Sequence, residues 1–311
     1  MTTNVSVLGA AGFIGSAVVT ALAREQTEPS VRLLVRTPNA QSVQKATNVH
    51  VGDVRHKGSL RVAVRGADTV VHCASYIGYD AELCETINVT GTRNVVEACT
   101  TEGVGRVIYM STAAVYRAGP RRGETEAELS VDPSSTLSRS RAAAEEIVLE
   151  AGGVVIRPDM VVGRGDRWVV PALHRFTAAV GGLVNGGSTL MSMIHVKDLG
   201  AVAAQIALQN GEIAGVFNAA YSEPVAVRAL VGQLPMLPAF AGAVQSVSRD
   251  VARERAIAGG FSQHQFDLLT ADHWFSNERL RRLTGQQWDG GPELTSVDRA
   301  WYQSALLTAW S

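Results

Sequence analysis

The chain has 311 residues, 46 % of them hydrophobic and 18 % charged, with a net charge of −1 and a pI near 6.7. That is ample material for a core, and at about 150 residues per domain the length suggests two units or one two-lobed unit. It excludes a disordered chain, and it gives no bulk electrostatic reason to bind nucleic acid or an anionic membrane. Lys is confined to Lys45, Lys57 and Lys197 among 28 Lys and Arg, so a single Arg is weak evidence for a site. Cys73, Cys84 and Cys99 form no CxxC pair and cannot all pair with one another. No metal site or disulfide framework is expected, and a reducing, cytoplasmic setting is. The segment Val5–Ala23 is uncharged, but Gly9, Gly12 and Gly15 interrupt it, so it reads as strand, turn and helix rather than a membrane span.

Short β-branched runs alternate with helical patterns through the first two thirds of the chain. Strands are predicted at Asn4–Leu8, Val31–Val35, Val49–Val51, Thr69–Cys73, Arg106–Met110, Gly153–Arg157, Leu190–Ile194 and Val216–Ala219. Helices are predicted at Phe13–Glu25, Ser59–Arg65, Ala81–Glu102, Ser138–Glu150 and Val196–Gln209. Strands separated by helix-length segments imply right-handed crossovers and a doubly wound parallel sheet, the Rossmann-type α/β class. Residues 1–158 are expected to form the dinucleotide-binding unit, with 189–221 returning to it. Residues 159–188 and 222–311 would build a smaller substrate lobe at the strand ends.

Gly9-Ala-Ala-Gly12-Phe-Ile-Gly15 follows the first strand and opens the first helix. Glycines there allow a tight turn and let backbone N–H groups of that turn, with Phe13 and Ile14, approach a pyrophosphate. Arg36 ends the second strand, where an acidic residue would select the 2′-hydroxyl of NAD(H) and an Arg favours the 2′-phosphate of NADP(H). The alternative for Arg36 is a solvated surface charge.

These motifs continue with Gly52-Asp53-Val54, His72-Cys-Ala74, Asn88-Val-Thr-Gly91-Thr and Val107-Ile-Tyr-Met-Ser-Thr112-Ala-Ala-Val-Tyr116, then Arg157-Pro158 and Ile194-His-Val-Lys-Asp198. In this order the chain, from Asn4 to about Ala219, resembles the extended short-chain dehydrogenases/reductases. The resemblance implies that Asp53 and Val54 flank the adenine, that Ala74 lies near ribose and diphosphate, and that Pro158 onward meets the nicotinamide. It also implies that the two long helical segments are those that pair relatives into dimers, leaving monomer and homodimer both open here. Asp53 could instead cap a turn, and Ser111 and Thr112 could simply end a strand.

That family works with a Ser or Thr and a Tyr-x-x-x-Lys, in which the Tyr exchanges the proton and the Lys lowers its pKa. Thr112 falls on the Ser/Thr position. The following element reads Pro133-Ser-Ser-Thr-Leu137-Ser-Arg-Ser-Arg141, placing Leu137 on the Tyr position and Arg141 on the Lys position. The residues four before Lys45, Lys57 and Lys197 are Gln41, Asp53 and Met193, so no Tyr-x-x-x-Lys exists anywhere in the chain. Leu cannot donate a proton, and an always-charged Arg141 is a poor shuttle, though it can bond a ribose or sit as a solvated helix charge. Losing a general acid costs roughly 10²–10⁴ in rate, whereas positioning can supply about 7–11 kcal/mol, so hydride transfer survives the loss. Hydroxyl help is expected from Thr112, Ser111 and Ser75. Tyr76, Tyr79, His174 and His195 are further candidates, and Tyr116 is expected to pack beneath the site.

The reading with most support is an NADPH-dependent ketoreductase with an apolar pocket for an aromatic ketone. In lacking the tyrosine it resembles atypical ketoreductases acting on aromatic polyketides of the angucyclinone type, intermediates of antibiotic biosynthesis. A phenol beside the substrate ketone would then offset the growing oxyanion. Alternatives are a non-catalytic NADP(H)-binding regulator and, further behind, a sugar-nucleotide epimerase or dehydratase.

Overall fold

The computed structural model describes residues 2–38, 48–241 and 245–308; Gln41, Lys45 and Trp310 lie outside them. Among the described residues a seven-stranded parallel sheet runs through the molecule. Its strands are β1 (Asn4–Leu8), β2 (Ser30–Val35), β3 (Asn48–Val51), β4 (Thr69–His72), β5 (Arg106–Met110), β6 (Val154–Pro158) and β7 (Gly215–Ala219). Their spatial order is β3-β2-β1-β4-β5-β6-β7. Most are runs of buried apolar side chains because helices cover both faces.

On one face α1 (Phe13–Leu22) and α6 (Val196–Leu208) pack Val18, Val19, Leu22, Leu199, Val202 and Ile206 onto the sheet. At Gly200 the two helices meet backbone to backbone, since a Cβ there would lie 2.6 Å from the Ala17 carbonyl carbon. The opposite face is covered by α2 (Lys57–Val64), α3 (Gly91–Glu102) and α4 (Thr136–Glu150), which contribute Leu60, Val64, Val95, Cys99, Ala144 and Val148. Each fully buried Leu, Ile or Val adds about 1.5–3 kcal/mol, so these two layers supply much of the order that fixes the strand ends. The strand order reverses between β1 and β4, and in such sheets the crevice beyond the carboxyl ends at that point takes the ligand.

Two expected elements differ. The helix predicted over Ala81–Glu102 is a short turn (Ala81–Leu83), a π-helical segment (Cys84–Thr90) and then α3. The wider π turn carries the buried Asn88 to a position where it bonds the Tyr76 backbone and Ser140, an arrangement typical of π segments at functional sites. The strand predicted over Leu190–Ile194 breaks at Ser192. Leu190–Met191 pairs with Val225–Ala226 and His273, whereas Met193–His195 pairs with Met160–Val162. Ser192 joins the two, donating its amide to the His273 carbonyl and accepting from Phe275 N at its hydroxyl.

Beyond β6 the chain builds most of a second layer: α5 (Val169–Val180), the helices Arg249–Ala258, Gln263–Thr270 and Ser296–Thr308, and the strands Val225–Ala226, Leu190–Met191 and His273–Phe275, which form a four-stranded sheet with Arg121–Glu124 from before β6. Among the described residues no helix is long and apolar enough to cross a membrane.

Candidate active site

The loop between β1 and α1 is shaped by contacts that only glycine permits. Gly9 has φ +78°, and a Cβ on it would lie 2.6 Å from Ala74 N. A Cβ on Gly15 would lie 2.3 Å from the Gly9 carbonyl oxygen. Gly12 stands at the N-cap of α1 with no side-chain cap, so the first-turn amides remain for an anionic ligand. Phe13 abuts Gly165, bringing the loop after Met160–Val162 over the start of α1, and Ile14 stays half-buried behind it. These features fit a dinucleotide pyrophosphate, with Gly9, Gly12, Phe13, Ile14, Gly15 and Ala74 as the cradle.

On the adenosine side, Arg36 is exposed just past the end of β2. It neighbours the β3 end through the bond from Gly52 N to Val35 O at 3.0 Å. The Asp53 carboxylate is taken up by Arg55, through the amide at 2.9 Å and the guanidinium at 2.8 Å. The bond to the Arg55 side chain, above all, holds its pKa below the ordinary Asp value. The turn-capping role is therefore filled, and the Asp53 carboxylate is paired with Arg55. Val54 is gripped from α3: Asn94 donates to its carbonyl at 3.1 Å, and Gly91 leaves room for its side chain.

At the carboxyl ends of β5 and β6 the expected residues separate into two groups. Ser111 is buried and donates to Glu145, which also binds Arg157 at 3.0 Å. Its hydroxyl is spent on tying β5 to α4 and β6. Thr112 is half-buried and accepts from Ala114 N at 3.2 Å, capping the short turn Ala113–Val115; this uses a lone pair and leaves its O–H able to donate. Ser75 is half-buried on the neighbouring loop, and Pro158 closes β6 paired with Ala219 of β7. Leu137 sits half-buried in the first turn of α4, whose start is fixed by a Ser135–Ser138 capping box.

Arg141 is not a solvated charge. It is 6 % exposed, donates to the Met110 carbonyl and lies 4.8 Å from the Tyr109 ring centroid. Its Nε is buried without a partner. Together with burial, the larger effect, this cation holds His72 neutral, with a pKa lowered to about 3.

The remaining proton-donor candidates are placed elsewhere or engaged. His195 caps α6, accepting from Lys197 N at Nδ1, and its Nε2 faces Asp298 at 3.3 Å; it ties the C-terminal helix to α6. His174 lies in α5, accepting from Ala239 N and packing edge-on against Phe240, and burial lowers its pKa. The Tyr116 hydroxyl donates to Asn218 at 2.7 Å beneath the site. Tyr76 folds around Gly78, and Tyr79 is 85 % exposed.

One acidic residue at this strand end is not singled out by the sequence pattern. Asp159 follows Pro158 and faces His273 at 3.6 Å, with Arg121 close by. Burial raises its pKa above the ordinary Asp value, against the opposing pull of His273 and Arg121. Its sequence neighbours Arg157-Pro158 marked the place, but nothing in the irregular tail marked His273 as its partner. Among the described residues no group of three or more His, Cys, Asp and Glu is arranged to hold a metal ion.

A sheet in this order, a glycine cradle at its switch point and a Thr-bearing turn after β5 define an extended short-chain dehydrogenase/reductase. More narrowly, the chain belongs to the 3-beta hydroxysteroid dehydrogenase/isomerase family, whose model matches residues 6–211. It is 28 % identical over 191 residues to the decarboxylating sterol-4-alpha-carboxylate 3-dehydrogenase of Saccharomyces cerevisiae, a match spanning 55 % of each chain. It is also 28 % identical over 276 residues to the 4-hydroxy-2-methyl-3-oxo-4-farnesyl-3,4-dihydroquinoline-1-oxide ketoreductase of Stigmatella aurantiaca, covering 81 % of this chain and 78 % of that one. The fold matches MoeE5 in complex with UDP-glucose and NAD, with TM-score 0.73, 22 % identity and coverage of 98 % and 99 %.

Proposed function

We propose that the protein is an NADPH-dependent ketoreductase that reduces a carbonyl of a flat aromatic substrate, of the aromatic polyketide (angucyclinone) type, without the tyrosine and lysine of its class. The observation that carries this reading is Leu137, half-buried in the first turn of α4 where the tyrosine belongs. Epimerases and dehydratases must remove a hydroxyl proton reversibly, and a Leu side chain has no group for that step. Reduction of an activated ketone requires only that hydride reach carbon and that the oxygen find a proton.

The cradle Gly9–Gly15 with Ala74 would hold the pyrophosphate, Arg36 the 2′-phosphate, Val54 the adenine, and Pro158 the nicotinamide end. When bound, the reduced nicotinamide supplies the hydride. Arg36 supports NADPH over NADH because an exposed guanidinium at that strand end matches phosphate with paired donors. Thr112 donates a hydrogen bond to the developing alkoxide, and Arg141 reaches the same rim from below. The Stigmatella aurantiaca relative, named for a ketone on a dihydroquinoline oxide, supports a fused-ring ketone as substrate.

The test is loss of NADPH absorbance with a panel of aryl ketones and hydroxyquinones, with NADH in parallel. Alcohol formed in step with NADPH consumed is the expected result, faster for ketones bearing an adjacent phenol. Tight NADPH binding with no turnover on any ketone would instead leave a cofactor-binding regulator.

A further inference from the structure

Reduction of a ketone needs one proton for each hydride, and neither Leu137 nor the committed Ser111 supplies it. We propose that Asp159, paired with His273, is the proton donor of this enzyme, an inference that rests on the ketoreductase reading above. The β5–β6 pairing aligns Met110 with Ile156, and Ser111 N donates to Ile156 O at 2.8 Å. Continued by two residues, that register sets Thr112 beside Pro158, on strands about 4.8 Å apart. Asp159 is the next residue, so it leaves the sheet on the same edge as Thr112.

The second layer brings His273 to it. Met160 N donates to Ser192 O at 3.2 Å and Ser192 N donates to His273 O at 3.0 Å, fixing the two backbones through Ser192. A carbonyl only accepts, so the 2.9 Å contact of His273 Nδ1 with Ala271 O puts a hydrogen on Nδ1. Nε2 is then turned to Asp159. Asp159 Oδ2, His273 Nε2 and the Nε of Arg121 are all buried without a hydrogen-bond partner. Buried polar atoms are normally satisfied, and Asp159 Oδ2 and His273 Nε2 face each other at 3.6 Å, beyond hydrogen-bond distance, so each keeps capacity for a further polar partner.

The other charges around the pair are spoken for. Asp272 binds Arg122 and Leu190 N, Glu124 accepts from Arg122 N, and Arg121 donates to Arg117 O while lying over Tyr116. Burial keeps the Asp159 carboxyl protonated to higher pH than an ordinary Asp, the direction that favours a proton donor.

The step balances. Hydride from the reduced nicotinamide adds to the carbonyl carbon, and the C=O π pair moves to oxygen. That oxygen takes the Asp159 carboxyl proton, leaving Asp159 ionised beside His273. Water then returns a proton to the carboxylate.

Asp159→Asn keeps the shape and removes the acid. Its kcat on the best aryl ketone should fall about 10²–10⁴-fold with KM, NADPH affinity and melting temperature near wild type. Independently of turnover, the ¹³C carboxyl resonance of Asp159 in the cofactor-free protein should titrate above the range of free aspartate and move in His273→Gln. Wild-type kcat in Asp159→Asn, or a carboxyl titrating as free aspartate, overturns the assignment while leaving the ketoreductase reading standing. Absence of turnover by the wild-type protein on the whole panel overturns both.

Discussion

The two halves of the crevice are built from different materials. On the side proposed to take the nucleotide the surface is backbone: Gly9, Gly12 and Gly15 form it, packed so closely that a Cβ added at Gly15 would lie 2.3 Å from the Gly9 carbonyl oxygen. On the side proposed to take the substrate the surface is side chain, and its polar groups are held by partners from other elements, as Ser111 is by Glu145 and Glu145 by Arg157. Backbone recognition depends on local conformation and tolerates no added atom. Side-chain recognition depends on what the second layer brings, so its chemistry can be exchanged without disturbing the sheet. That difference explains how the cradle keeps its class pattern while Leu137 and Arg141 depart from it.

The comparison breaks most sharply at the cradle. Gly15→Val would drive a branched side chain into the Gly9 carbonyl, 2.3 Å from the Cβ position. Gly9 cannot retreat, because it lies against the Ala74 backbone in turn. Overpacking of this kind costs about 1–3 kcal/mol of stability, but the pyrophosphate surface itself is displaced. NADPH affinity, measured by fluorescence titration, should fall beyond detection. Retained affinity would mean that the first-turn amides do not hold the cofactor.

Glu145→Gln is the corresponding break on the substrate side, and its effect should fall on stability first. The Arg157–Glu145 pair is buried, with side-chain exposures of 5 % and 3 %. Removing one partner of such a pair leaves an uncompensated charge and costs about 3–5 kcal/mol. Urea unfolding should report that loss, while NADPH affinity per folded molecule stays near wild type. A loss below 1 kcal/mol, on the order of a surface pair, would show that water reaches Arg157.

A smaller effect is expected at Arg36. Charge-assisted hydrogen bonds contribute about 1.5–3 kcal/mol, so Arg36→Ala should weaken NADPH binding roughly 10- to 150-fold and leave NADH binding unchanged. Equal losses for the two cofactors would point to a general electrostatic role and remove the 2′-phosphate assignment.

The same contrast governs what could be read from the residues in order. The glycine loop, the strands around it and the helices α1 and α4 are local, and their spacing and apolar pattern give both place and type. The π segment at Cys84–Thr90 reads as plain helix in the sequence because a periodic pattern does not report a wider turn. Ser192 reads as the middle of one strand, since nothing nearby in the sequence tells that its two sides pair with different partners. The Asp159–His273 pair joins the end of β6 to a short strand in the irregular tail, and only the packing of the second layer brings them together. The sequence leaves Arg141 as either a ribose ligand or a surface charge; its burial over Tyr109 depends on room beside Met110 and Tyr109 that the sequence does not describe.

The mildest change addresses that room. Leu137→Tyr returns a phenol to the position where the class carries one, but the group that would lower its pKa does not come with it. Arg141 is turned inward to the Met110 carbonyl and the Tyr109 ring. A phenol near its ordinary pKa of about 10 is a weak donor at neutral pH. If Asp159 already delivers the proton, the added tyrosine should change kcat by less than about tenfold, small beside the roughly 10²–10⁴ that a working general acid contributes. Leu137→Tyr in the Asp159→Asn background separates the two donors. Recovery of most of the lost rate there, with little gain in the otherwise wild-type protein, would place both groups on one oxygen. A gain of 100-fold or more in the otherwise wild-type protein would mean that the rim had no effective acid of its own.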